Sequence, residues 1–324
     1  MEAVKAKTLV IVNSGSPDFS RFLLKAVLRN ENLNVATIID SARIPKDRQR
    51  RFPTTTIVAE RVMEMAKRVF NPGYHPKPDG TFFENIYFIA RSGERDILQI
   101  NDLNDPAFIE KAASFGADVV LLLGCPQILK KSFIEKFPFI VNFHDSLLPA
   151  YRGLEATSWS VYREETETGF TFHLVDENID TGMVLHQQSI PLQKGDWNMQ
   201  RILYEKCRLA AEFLERTDIL ALINKTASGV GSKPGGKDLV PSYFGNREFR
   251  SMVTIRHTAD HSFSELEKRI KIFGHIFLPS LHGDKRITGI RFSTSGGIPV
   301  SDGYMVVTRV AFLPGKLAAL IFRR

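Results

Sequence analysis

The chain is poor in cysteine. Two residues, Cys125 and Cys207, in 324 are too few for a disulfide framework or a thiolate metal cage. No apolar run approaches the roughly 20 residues that a bilayer-spanning helix needs. The first residues, Met1 to Lys7, lack the apolar centre of a secretion signal. These absences lead us to expect a cytoplasmic protein with no membrane partner. Gly15 stands alone after the first apolar run, so the G-x-G-x-x-G fingerprint of dinucleotide binding is missing. H-E-x-x-H and C-x-x-C are missing too, so no metal is expected, although His144, Asp145, His173, Asp176 and Asp180 cluster in sequence. We find no internal repeat.

What is present is a cationic excess. Lys and Arg number 43 against 36 Asp and Glu, a net charge of +7, which favours an anionic partner such as nucleic acid, a phosphorylated metabolite or a polyanionic cofactor. The length suits about two domains. Thr226 to Gly236 is rich in Gly and Ser, and we read 1–225 as one domain, 226–236 as a linker and 237–324 as a second domain.

Thr8-Leu9-Val10-Ile11-Val12 and Val119-Val120-Leu121-Leu122-Leu123 are continuous apolar runs, the mark of strands buried on both faces. A helix carrying Phe22, Leu23, Val27 and Leu28, capped by Asp18 or Ser20, joins the first run to Val35–Ile39. This β-α-β start implies an α/β fold with a doubly wound, mostly parallel sheet. Ile86 to Ala90 is read as a third strand, and Asp105 to Phe115 as a helix with Pro106 in its first turn. Further strands are expected over 139–143, 169–174 and 183–190, and a helix over 155–163. Asp196 is expected to cap a long helix with Leu203, Cys207, Ala210 and Leu214 on one stripe. Past the linker, Ser264-Glu265-Leu266-Glu267 reads as a capping box. Short strand candidates around 287–292, 303–310 and 317–322 then suit a smaller β-rich domain, compatible with an OB-like barrel.

Two stretches carry chemistry. Arg43 to Arg51 holds five cations against Asp47; it is either a solvated loop or a phosphate-contacting one. It leads into an expected helix over 57–70 and a Pro- and Gly-rich connection over 71–80. The second stretch is Asn142-Phe143-His144, at the end of an apolar segment. Side chains alternate along a strand, so Asn142 and His144 point the same way and Phe143 the other. A carboxylate brought beside such an imidazole favours its charged form and lets it take and return a proton near neutral pH. Asp180, on the acidic loop Asp176 to Gly182, is the candidate. The Asn142 amide can donate to an oxyanion developing on an attacked carbonyl. No activated Ser or Cys accompanies them, which suits direct acyl transfer to an amine.

Asn142-Phe143-His144-Asp145-Ser146-Leu147-Leu148-Pro149, Tyr151-Arg152-Gly153, Glu167 to His173 and Asp176-Glu177-Asn178-Ile179-Asp180-Thr181-Gly182 together resemble the 10-formyltetrahydrofolate-dependent formyltransferase family. The resemblance implies a Rossmann-like formyltransferase domain, with Asn142, His144 and Asp180 as its catalytic residues. It implies that Gln127, Ile128 and Leu129, with Val175, Asp176, Glu177 and Asn178, line the pterin pocket of the donor, 10-formyltetrahydrofolate, largely through backbone groups. It implies a primary-amine acceptor, either methionyl-tRNA or a nucleotide-linked amino sugar. In the tRNA enzymes a basic loop follows the second strand, where Arg43, Arg48, Arg50 and Arg51 stand here. These four, with Arg152 and Gly153, are the expected acceptor-binding residues. Leu154-Glu155-Ala156-Thr157-Ser158-Trp159 occupies the place of the Ala-Ala-Pro segment usual in tRNA enzymes, and Asp145 that of a Pro or Gly. The rival class is a non-catalytic nucleic-acid-binding module using the basic loop and the C-terminal domain; the intact Asn-His-Asp set argues against it.

Overall fold

The computed structural model describes residues 5–14, 17–42, 86–228, 239–279 and 285–311. In chain order they form β1 (Ala6–Val12), α1 (Pro17–Arg29), β2 (Leu33–Asp40), α2 (Ile86–Ser92), β3 (Ile97–Gln99), α3 (Pro106–Ser114), β4 (Val119–Leu123), α4 (Lys131–Ile134) and β5 (Phe139–His144). Then come β6 (Arg152–Gly153), α5 (Ala156–Tyr162), β7 (Glu167–Leu174), β8 (Val184–Pro191), α6 (Met199–Arg216) and α7 (Ile219–Ala227). The chain continues through β9 (Tyr243–Phe244), α8 (Asn246–Val253), α9 (Phe263–Phe273), β10 (Ile276–Phe277), β11 (Arg286–Ser293), β12 (Ile298–Val300) and β13 (Gly303–Ala311). Two compact units emerge, one from 1–149, 169–188 and 200–239, the other from 150–168, 189–199 and 240–324.

In the first unit the strand order is β3-β2-β1-β4-β5-β7-β8. β2, β3 and β4 all run parallel to their neighbours, as does β5 against β4. β7 runs antiparallel to β5. The β-branched runs bury both faces, as their composition dictates. Val10, Val12, Leu121, Leu123, Val141 and Phe143 face one apolar cluster. Leu9, Ile11, Val120, Leu122 and Ile140, one residue out of step, face the other. The chain passes from β1 to one side and later returns to β4 on the other. Between these strands lies a topological switch point, where open α/β sheets place ligands beyond the strand carboxyl ends.

The second unit holds a four-stranded sheet, β10-β11-β13-β12, in which each strand runs antiparallel to its neighbours. Ile255, Leu266, Ile270, Ile276, Leu278, Ile287, Val300 and Met305 form its core. β6 pairs with β9 in a separate two-stranded ribbon. No helix among the described residues is long and apolar enough to cross a membrane.

Several local expectations need correction. Residues 86–90 are helical, not a strand, and β3 follows at Ile97–Gln99. The run is apolar throughout, but its buried residues, Ile86, Ile89 and Ala90, recur at helical spacing. β7, expected from 169, starts at Glu167 and is buried along almost its whole length, because it sits inside the sheet. Ser262, not Ser264, caps α9, accepting from Glu265 N–H at 3.2 Å. Asp196 stands ahead of α6 and accepts from Asn198 N–H instead of capping the helix. Ser20 lies inside α1, where its hydroxyl accepts from Asn13 N–H and donates to the Leu123 carbonyl. α7 runs through Ala227, into the stretch read as linker. The stripe of α6 is Ile202, Lys206, Cys207, Ala210 and Leu214: Cys207 is core, as expected, but Leu203 is only half-buried, and Ile202 and Lys206 belong to the stripe instead. The expected helix over 57–70, the connection over 71–80 and the strand over 317–322 lie outside the described residues.

Candidate active site

β5 delivers the pair. Its register sets Asn142 opposite Leu122 of β4 and opposite His173 of β7, and sets His144 opposite Thr171. Phe143, turned the other way, packs against Phe19, Phe170 and Phe172. Directly opposed residues of an antiparallel pair share a face, so the register alone puts the His173 imidazole beside the Asn142 amide.

Asp180 arrives from the loop between β7 and β8. That loop is closed by Leu174 N–H on the Met183 carbonyl at 2.8 Å. The Asp176 carboxylate, accepting from Asn178 N–H and from the Thr181 hydroxyl, ties it internally. Asp180 has φ of 52°, a left-handed conformation that Asp tolerates better than most residues. Gly182 is a necessity of packing, since a Cβ there would overlap the Leu174 carbonyl oxygen. The result is a convergence: Asp180 Oδ2 lies 3.5 Å from His144 Nδ1, and Asp180 Oδ1 lies 3.4 Å from Asn142 Nδ2 and 3.6 Å from His173 Nε2. His144 and His173 are buried, and the Asp180 side chain is 12% exposed.

The hydrogen bonds assign the proton positions. His173 Nδ1 lies 2.8 Å from the Leu174 carbonyl, which can only accept, so that nitrogen carries the hydrogen. In the neutral ring Nε2 is then an acceptor, and the Asn142 Nδ2 at 3.0 Å donates to it. One Asn142 N–H is committed to His173; the other makes only the long contact to Asp180 and can swing to an incoming oxygen. For His144, Nδ1 is the nitrogen that faces the carboxylate.

Beyond the end of β4, Gln127 is buried and its amide bolts three segments together. Nε2 donates to the carbonyls of Ser41 and Asn101, and Oε1 accepts from Leu103 N–H. Ile128 is 69% exposed, while Leu129 is buried in the second apolar cluster. Val175 N–H donates to the Ile140 carbonyl, and Glu177 pairs with Lys131 at 2.8 Å. Asp176 is held within its own loop, and Asn178 is exposed. The Gln127 amide is thus committed to the scaffold. Burial pushes the Cys125 thiol pKa up, which disfavours its thiolate form. Among the described residues no group of three or more His, Cys, Asp or Glu is arranged to hold a metal ion.

Of the expected acceptor residues, Arg43, Arg48, Arg50 and Arg51 lie outside the described residues. Arg152 and Gly153 form β6 in the second unit, where Arg152 N–H donates to the Ser242 carbonyl and Gly153 has φ of 94°. Around them Tyr151 and Trp159 stack on Phe244, and the Arg163 guanidinium lies 4.8 Å from the Phe244 ring.

Two residues near the site carried no role in the sequence reading. His173 was visible only as a member of the His and Asp cluster and of the Glu167 to His173 motif, since the pairing register cannot be read locally. Lys206 had a signal: it lies four residues from both Ile202 and Ala210, inside the apolar stripe of α6. It is fully buried, its Nζ donates to the Asp145 carbonyl at 2.7 Å, and burial lowers its pKa to about 8.

Comparison with known proteins gives the chain a family and a fold. A family described as formyl transferase matches residues 6–209. A methionyl-tRNA formyltransferase of Syntrophus aciditrophicus is 36% identical over 108 residues, covering 33% of this chain and 35% of that protein. A GDP-perosamine N-formyltransferase of Brucella melitensis is 37% identical over 94 residues, covering 29% and 36%. The chain thus spans about a third of the length of these two curated relatives. A sugar N-formyltransferase from a Shewanella species shares the fold, with TM-score 0.53 at 14% identity over 94% of this chain and 96% of that one. An N-formyltransferase from Helicobacter canadensis, solved with folinic acid and dTDP-3-aminofucose, does so with TM-score 0.51 at 19% identity over 91% and 90%.

Proposed function

The chain belongs to the formyl transferase family, and on that premise we propose that it transfers a formyl group from 10-formyltetrahydrofolate to a primary amine, with methionyl-tRNA as the acceptor. The observation that carries the chemistry is the convergence of Asn142, His144 and Asp180 within 3.4–3.5 Å. His144 Nε2 takes the proton that the amine loses as its nitrogen attacks the formyl carbon. The same proton is returned to the departing folate nitrogen as the old carbon–nitrogen bond breaks. Asp180 holds Nδ1 and stabilises the imidazolium between those steps. The Asn142 N–H now directed at Asp180 donates instead to the formyl oxygen as its charge develops, a contribution of about 2.7–4 kcal/mol for such a donor. Gln127 to Leu129 and Val175 to Asn178 would hold the pterin, with Ile128 as its apolar contact.

The basic stretch Arg43 to Arg51 supports a polyanionic acceptor, and Arg152 and Gly153 are assigned to the acceptor with it. A nucleotide-linked amino sugar is the second reading, because the Leu154 to Trp159 segment departs from the Ala-Ala-Pro of the tRNA enzymes. Incubating the protein with 10-formyltetrahydrofolate and either charged initiator tRNA or nucleotide-linked amino sugars, and following tetrahydrofolate release, separates them. Release with the sugar alone replaces the acceptor. No release with any amine, together with tight salt-sensitive RNA binding, replaces the enzyme reading by that of a binding module.

A further inference from the structure

The loop after His144 is held from outside by three side chains of the first unit. Thr171 Oγ1 donates to the Ser146 carbonyl at 2.6 Å and accepts from Leu148 N–H. Gln187 Nε2 donates to the Leu148 carbonyl and to Thr171 Oγ1, each at 2.9 Å. Lys206 Nζ donates to the Asp145 carbonyl. A hydroxyl and an amide are cheap to bury once hydrogen-bonded, whereas a buried ammonium costs far more. An apolar side chain would fill the same position in the stripe of α6 without that cost. The lysine has an evident task, because the carbonyl it grips belongs to Asp145, the residue directly after the histidine that faces Asp180. Strand pairing with Thr171 holds His144 from one side, and nothing in that pairing fixes how the chain leaves.

We propose that Lys206 is a positioning residue for His144: its ammonium fixes the Asp145 carbonyl and, through the intervening backbone, keeps His144 Nδ1 turned to Asp180. Asp145, which adds a negative charge favouring the ammonium, completes the device. The inference rests on the proposed function only for the meaning of His144. Its test needs no acceptor, so its failure leaves that function standing.

The test reads the His144 ring by long-range 1H–15N correlation in the intact protein, assigned with His144→Gln. In the native protein the neutral ring is expected in the Nδ1–H form. Lys206→Met, nearly equal in volume but unable to donate, is expected to fold with a similar melting temperature and to show a mixture of tautomers. Lys206→Arg, which restores a charged donor, is expected to move the ring back towards Nδ1–H. Should Lys206→Met fail to fold, Lys206→Gln, with a shorter donor, is read in the same way. A native ring in the Nε2–H form, or a folded Met or Gln variant with the native tautomer, overturns the proposal. A residue needed only for core packing would change melting temperature and leave the tautomer where it was.

Discussion

Asn142 and His173 face each other across the antiparallel pair β5–β7, with Nδ2 3.0 Å from Nε2 and the far ring nitrogen on the Leu174 carbonyl. This chain of two hydrogen bonds turns the amide so that its NH2, not its oxygen, looks towards Asp180. Removing the acceptor at its end frees the amide to flip. His173→Ala is therefore expected to lower kcat for formyl transfer about 100-fold, the scale of a small misplacement at a reacting centre. A steady-state kcat within twofold of native would show that Asn142 keeps its orientation unaided.

His144→Ala removes the proton carrier and leaves the segments proposed for the pterin untouched. A loss of about 10²–10⁴ in kcat is expected, with folinic acid binding, measured by calorimetry, unchanged. Near-native turnover would end the general-base assignment.

Gly182→Ala forces the chain to move away from the Leu174 carbonyl oxygen and takes the Asp180 loop with it. We expect a stability loss of about 1–3 kcal/mol and a fall in kcat larger than any change in donor KM. Urea unfolding and initial rates measure the two separately. A fully active variant would mean that Asp180 reaches its place without this close approach.

The lysine of α6 predicts a pH dependence. Its pKa is about 8 in the folded protein against 10.5 as its ordinary value. Between those values the unfolded chain binds more protons, so this group makes stability rise with pH from about 8 upward. Tyr87 works in the opposite sense: burial, then its hydrogen bond to Asp40, raises its pKa, and its contribution falls above pH 10. Urea midpoints of native protein and Lys206→Met, compared between pH 8 and 9.5, should diverge, the native one gaining relative to the variant. Parallel lines would mean that Lys206 titrates normally.

Charge reversal at Arg48, Arg50 and Arg51 tests the acceptor. If methionyl-tRNA is used, each lost phosphate contact weakens kcat/KM and flattens its dependence on salt. An unchanged rate with tRNA removes these arginines from the acceptor site.

Some of this molecule was legible without coordinates. The runs at 8–12 and 119–123 could be placed as doubly buried strands because continuous burial demands continuous apolarity. Asp105 and Pro106 marked a helix start because a side-chain acceptor and a missing N–H are local facts. Residues 86–90 were misread because a short apolar run satisfies strand and helix alike, and only the neighbours that bury it decide. Ser262 was passed over for Ser264 because both offer a hydroxyl near Glu265, and only the backbone's entry angle selects between them.

The sequence by itself determined the residue types at the site, the strand that carries Asn142 and His144 on one face, and the family the chain resembles. These rest on alternation and order along the chain, which need no partner. Tertiary structure alone decided that His173 holds the Asn142 amide and that Lys206 grips the peptide beyond His144. Both depend on which residue of one element comes to lie against which residue of another. That register is set by the packing of the whole sheet and of α6, and no stretch of sequence contains it.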